Sequence, residues 1–145
     1  MHILILNPIF YTSETAHIQK QDSIKDTLMY NNALAFKKLG HSVTLIAAEE
    51  YRPLVEETYE FEILYFPSII KKIFLPNLLP LPKGLYTFLK ENREKYDFII
   101  TSESFSFYSL YSSILASKKT IIWQEIDKHQ KKFFNLPSIF WHHIV

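Results

Sequence analysis

Apolar residues along this chain gather into five short runs, residues 3–6, 43–47, 61–66, 98–101 and 120–123, each followed by polar or turn-forming positions. Most of the runs are continuous rather than alternating, which is the pattern of strands covered on both faces in a parallel sheet. Between them the period changes to that of helices. Ser23 opens the first helical pattern: Ile24, Leu28, Ala35 and Leu39 share one stripe while Asp26, Tyr30 and Lys37 point away. Ser23 with Asp26 approximates a capping box, and Gly40 supplies the stop. A second helix is predicted with Pro82 in its first turn, followed by Leu85, Phe88 and Leu89. A third carries Phe107, Leu110, Tyr111 and Ile114 on one face and leaves Ser109, Ser112, Ser113 and Ser117 mostly elsewhere.

The order strand, helix, strand, strand, helix, strand, helix, strand predicts an α/β fold. It implies a Rossmann-like, doubly wound parallel sheet with strands in the order 3-2-1-4-5 and right-handed crossovers. Residues 68–81 break the pattern, because Ile69, Ile70, Ile73 and Phe74 crowd around Lys71 and Lys72 while Pro76 and Pro80 exclude a long helix. This segment is expected to be a loop or one short amphipathic turn. Its apolar residues and paired lysines suit an anionic membrane surface; burial under a further domain is the equal competitor.

Composition narrows the function classes. A chain of 145 residues with 48% hydrophobic content is enough for one domain with one core, and no segment is long enough to span a bilayer. The opening apolar run lacks a basic leader and meets Asn7-Pro8 at once, so it reads as a first strand rather than a secretion signal. Only Gly40 and Gly84 occur, which rules out both the dinucleotide fingerprint and the phosphate loop of nucleotide hydrolases, and no cofactor is expected. With no Cys there is no disulfide, zinc-thiolate site or thiol nucleophile, which favours the cytoplasm. A formal charge of +1 gives no global reason to expect nucleic acid.

In such a sheet the ligand crevice lies beyond the carboxyl ends of the strands, where the strand order reverses. Here the reversal falls between the first and fourth strands, flanked by the loop of residues 7–21 and the turn Ser102-Glu103-Ser104. The fifth strand opens onto Trp123, Gln124, Glu125, Ile126 and Asp127. Candidate ligand-binding side chains are therefore Asn7, Thr12 and His17 in the first loop, Glu103 after the fourth strand, and Glu125 and His129 after the fifth. Carboxylates and hydroxyls at this edge suit a polar ligand such as a sugar. Trp123 reads as core rather than a sugar platform. Asn31, placed inside the first helix's stripe, is expected to make a structural hydrogen bond. His142 and His143, adjacent on a helix expected to begin near residue 137, diverge and do not suggest a metal site.

Residues 2–10 (HILILNPIF), 34–46 (LAFKKLGHSVTLI) and 96–127 (YDFIITSESFSFYSLYSSILASKKTIIWQEID) resemble the N-terminal half of a family 4 glycosyltransferase of the GT-B fold. They are similar, in order, to its first strand; its first helix, Gly-His turn and second strand; and its fourth strand, helix and fifth strand. Residues 123–142 resemble a subgroup acting in bacterial polysaccharide biosynthesis. Many relatives place a His after the fifth strand near the transferred sugar, and the matching position here is Glu125. Relatives often carry adjacent glycines in the loop after the first strand, whereas residues 7–21 contain none.

The resemblance implies that residues 1–145 are the acceptor-side half of a retaining transferase, with the nucleotide-sugar-binding half absent. The expected partners are a nucleotide-sugar donor, held mainly by that other half, and a polysaccharide or lipid-linked acceptor. The place of action is the cytoplasm or the inner face of the membrane. A non-catalytic, flavodoxin-like binding module is the alternative.

Overall fold

The computed structural model of the chain describes residues 1–11, 17–123, 139–141 and 143. Five strands form the central sheet: β1 (His2–Leu6), β2 (Ser42–Ala48), β3 (Glu62–Phe66), β6 (Phe98–Ser102) and β7 (Thr120–Trp123). Two further strands, β4 (Ser68–Ile69) and β5 (Leu81–Pro82), make a separate antiparallel pair. The helices are α1 (Leu28–Lys38), α2 (Leu85–Asn92) and α3 (Phe107–Ala116). The central order is β3-β2-β1-β6-β7 and every pairing is parallel, as the apolar runs predict. This order differs from the 2-1-3-4-5 arrangement of flavodoxin-like sheets.

β1 pairs with β2 on one edge and β6 on the other, and its side chains divide alternately between two cores. Ile3 and Ile5 join Val43, Leu45 and Ala47 under Met29, Tyr30 and Ala33 of α1. Leu4 and Leu6 join Ile46 and Ile99 under Leu85 and Leu89 of α2 and Tyr108 of α3. The period of two along a strand sets this division. A right-handed crossover that leaves β1 toward β2 lays its helix on the opposite face from one that leaves β3 toward β6 or β6 toward β7.

Each of the three helices departs from the sequence expectation. The first helix begins one turn later, capped by Thr27, whose Oγ1 accepts from the Tyr30 N–H at 3.3 Å. Ser23 is engaged elsewhere: its Oγ donates to Glu57 at 2.7 Å. The buried face of α1 is also rotated, with Tyr30 inside and Leu28 and Leu39 exposed. Tyr30 packs against the rings of Phe61 and Tyr59 at 5.1 and 5.9 Å, so a large aromatic surface contributed by the segment leading into β3 decides the rotation. Asn31 makes the expected structural bonds, donating to the Lys25 and Thr27 carbonyls at 3.0 Å, but from an exposed position.

Gly40 ends α1 as predicted. At φ +85° it closes a Schellman motif, in which its N–H reaches the Lys37 carbonyl at 3.0 Å and the His41 N–H reaches that of Phe36 at 3.2 Å. Pro82 does not enter α2; it pairs with Ser68 in β5, and Gly84, also at φ +85°, provides the turn into the helix.

α3 is the third departure. Its serine side, not its apolar stripe, meets the sheet: Tyr108, Ser109 and Ser112 are buried while Ile114 is exposed. Small side chains let the helix approach β6 closely, and each hydroxyl finds a partner. Ser109 Oγ lies 2.9 Å from Thr101 Oγ1, Ser112 Oγ donates to the Ser109 carbonyl at 3.0 Å, and Thr120 Oγ1 donates to the Ala116 carbonyl at 2.9 Å. The apolar stripe packs sideways instead, Phe107 on Phe74 and Tyr111 on Tyr86.

Leu4 is fully buried at the centre of the sheet. Replacing it with Ala is expected to cost roughly 3–4 kcal/mol, through lost burial and the cavity left behind. Urea unfolding should show a lower midpoint with an unchanged slope.

Candidate functional site

The carboxyl edge of the sheet carries two polar groupings, one on each side of β1. The first lies at the strand-order reversal. As β1 ends, the Asn7 N–H still bonds the Ile46 carbonyl at 2.9 Å, and Asn7 Oδ1 accepts from the Ile9 N–H at 3.1 Å. Asn7 is therefore buried as a turn former. On the neighbouring strand, β6 runs into Glu103, whose backbone adopts φ +60°.

A left-handed backbone is unfavourable for a residue with a Cβ and persists only when its surroundings hold it there. At Glu103 the restraints are explicit. Its N–H donates to the Trp123 carbonyl at 2.9 Å, tying it to the end of β7. Its own carbonyl accepts from Ser106 Oγ at 3.1 Å and from Ser109 Oγ in a short hydrogen bond. Ser106 also caps α3 by accepting from the Ser109 N–H at 3.0 Å. The buried serines thus have two roles, joining α3 to the sheet and fixing the Glu103 backbone. The Glu103 side chain is left partly exposed at the rim.

The second grouping covers the ends of β2 and β3. An open crevice of about 400 Å³ is lined by His17, Lys20, Glu49, Glu50, Lys71 and Pro76, among others. Glu50 is its most constrained member: it accepts from Ser68 Oγ at 2.8 Å and pairs with Lys71 at 2.8 Å. Burial pushes the Glu50 carboxyl up, but the Lys71 ammonium, the local backbone and the Ser68 hydroxyl outweigh it and hold the group below the ordinary carboxylate range. Glu49 is engaged in a two-point pair with Arg52 at 2.6 and 2.9 Å. Tyr51 and Tyr108 bury their hydroxyls near Glu50 with no hydrogen-bond partner among the described residues, and burial pushes both phenols up.

The structure therefore places Asn7 and Glu103 past the ends of the adjacent strands β1 and β6 at the reversal, and His17 across β1, in the crevice with Glu50. Thr12, Glu125 and His129 lie outside the described residues. Trp123, expected in the core, is 46% exposed on the sheet face that also carries Ile121 and Phe98. Sequence reasoning missed Glu50 and the serine clamp. The break from apolar Leu45-Ile46-Ala47-Ala48 to Glu49-Glu50 carries the same signal that marked Glu103. Nothing local, in contrast, announces a lysine 21 positions away as the partner of Glu50. Among the described residues, no His, Asp and Glu side chains group closely enough to hold a metal ion, and no helix is long and apolar enough to cross a membrane. No protein-family model matches the chain, and no curated protein matches it.

Two expectations follow from this geometry. Glu103→Gly removes the left-handed strain and should raise stability by up to about 1 kcal/mol, whereas Ser109→Ala, which strips the Glu103 carbonyl and Thr101 of a partner, should cost about 1–3 kcal/mol. Chemical denaturation of the two variants gives both signs. Glu50 has a folded pKa below its unfolded one, so its stabilisation is complete above the unfolded value and fades as pH falls through the folded value. Between about pH 5 and pH 3 the wild type should lose stability faster than Glu50→Gln, as followed by thermal melts across that range.

Proposed function

We propose that this chain is the acceptor-side half of a retaining glycosyltransferase of GT-B type, acting in the cytoplasm and carrying a hydroxyl-bearing acceptor at the reversal of the sheet. The observation that carries the reading is Glu103: an ionisable residue held in a strained backbone conformation at the ligand-binding edge of a doubly wound sheet. Support also comes from the segments that resemble family 4 transferases. They fall on β1, on α1 with its Gly40-His41 turn and β2, and on β6, α3 and β7.

In this reading the Glu103 carboxylate accepts a hydrogen bond from an acceptor hydroxyl and orients it. The second half of the enzyme holds the nucleotide-sugar donor and stabilises the departing diphosphate, and closure of the two halves brings hydroxyl and anomeric carbon into reacting distance. The acceptor is a polysaccharide or a lipid-linked glycan, and this chain alone transfers no sugar.

Titrating the isotope-labelled chain with oligosaccharides and with nucleotide sugars, read by amide chemical shifts, tests the reading. Oligosaccharides should move resonances around residues 7 and 102–106, and nucleotide sugars should move few. Glu103→Gln should weaken oligosaccharide binding by about tenfold to a hundredfold, the worth of one hydrogen bond to a charged group, at an unchanged melting temperature. Tight nucleotide-sugar binding by this chain, with no response to any glycan, would overturn the assignment of the acceptor to this half. It would favour an independent binding module.

A further inference from the structure

The segment between β3 and α2 is built as an outward-facing apolar tip, and its cost is visible in the backbone. Its ends are joined by the β4–β5 pair, Ser68 with Pro82 and Ile69 with Leu81, and Ser68 is anchored on Glu50 at 2.8 Å. Within it two single turns follow each other. The Ile73 and Phe74 N–H groups bond the Ile70 carbonyl at 2.9 and 3.0 Å, and those of Leu78 and Leu79 bond the Leu75 carbonyl at 2.9 and 2.8 Å. Phe74 and Leu79 turn inward, Phe74 onto the ring of Phe107. Every residue from Ile69 to Ile73 faces out.

Ile70 is 53% exposed and Ile73 is 70% exposed. Ile70 also sits at φ +52°, a conformation that a β-branched side chain adopts only under strain. Asn or Gly would occupy that position at lower cost in both strain and exposure, so folding gives no reason for isoleucine. The charges carried by the segment itself are of one sign, and the acid nearest it, Glu50, is taken up by Ser68 and Lys71 at its base. Residues 67–84 contain Lys71, Lys72 and Lys83 and no Asp or Glu. Lys71 pairs with Glu50, while Lys72 and Lys83 have no carboxylate partner among the described residues.

We infer that this tip is a membrane-docking element that inserts Ile70 and Ile73 among the acyl chains of an anionic bilayer while Lys72 and Lys83 meet its headgroups. Charge complementarity selects the occupant. Exposed apolar side chains on a segment that carries lysines without a carboxylate partner among the described residues, and no acid of its own, match an interface of negative surface potential, where each lysine strengthens binding about fivefold. The inference stands apart from the acceptor-side reading, since it uses none of the residues at the sheet reversal.

Co-sedimentation of this chain with phosphatidylglycerol-containing vesicles and with pure phosphatidylcholine vesicles is the test. Binding is expected to the anionic vesicles, to weaken with added salt, and to be nearly absent on the neutral ones. The pair Ile70→Asn and Ile73→Asn should lower binding by about tenfold or more while leaving the melting temperature unchanged or raised, because Asn tolerates the left-handed backbone. The pair Lys72→Glu and Lys83→Glu should abolish binding at an unchanged fold. No binding to anionic vesicles, or binding that neither pair reduces, overturns the inference. A chain that ignores vesicles but self-associates through Ile70 and Ile73 overturns it in favour of a protein partner.

Discussion

The burial of β1 on both faces and both edges is the constraint on which the rest of the structure depends. Leu4 and Leu6 have no solvent-exposed surface, and Ile3 and Ile5 have almost none. Each strand edge of β1 is taken by a parallel neighbour, β2 on one side and β6 on the other. A parallel neighbour can be reached only by a long crossover, and the chain reaches β2 through α1 and β6 through α2, in opposite directions on the two sides of β1. Helices therefore lie on both faces, and where the two directions part, the loops after β1 and β6 separate and leave an edge that no crossover closes.

That edge is polar because strand carbonyls and amides end there without strand partners, and side chains take over the bonding. Asn7 accepts from Ile9, Ser106 caps α3, and Ser109 and Ser106 hold the Glu103 carbonyl. A packed serine layer beneath the loop makes a strained residue possible above it. Flexible supports would let Glu103 relax into an ordinary conformation, whereas the buried Ser106 and Ser109, held between α3 and β6, do not.

Among the described residues with a side chain beyond hydrogen, only Ile70 and Glu103 have a positive φ. They occupy different loops on the same edge of the sheet, and each is fixed by hydrogen bonds from its neighbours. One is apolar and set among lysines; the other is acidic and set among serines. Strain at two chemically opposite residues on one edge is what separates the functional readings from a general α/β scaffold.

The amino-acid order alone determined where the five strands of the central sheet lie, that they run parallel, and their sequence across the sheet, because continuous apolar runs separated by helical spacings admit few connected topologies; it did not show the short antiparallel pair β4–β5. It also marked the Gly40 stop and the polar residue that opens after β6, since both are local signals: a residue free to take a left-handed turn, and an abrupt change from apolar to charged. Tertiary packing decided which side of each helix turns inward. A periodic pattern shows that a helix has faces, but the opposing surface selects among them: Phe61 drew Tyr30 in, and β6 accepted the serines of α3 in place of its leucine and isoleucine. The strain at Glu103 and Ile70, and the pairing of Glu50 with Lys71 and Ser68, were likewise settled only in three dimensions. They depend on groups far apart in the chain whose meeting no local period encodes.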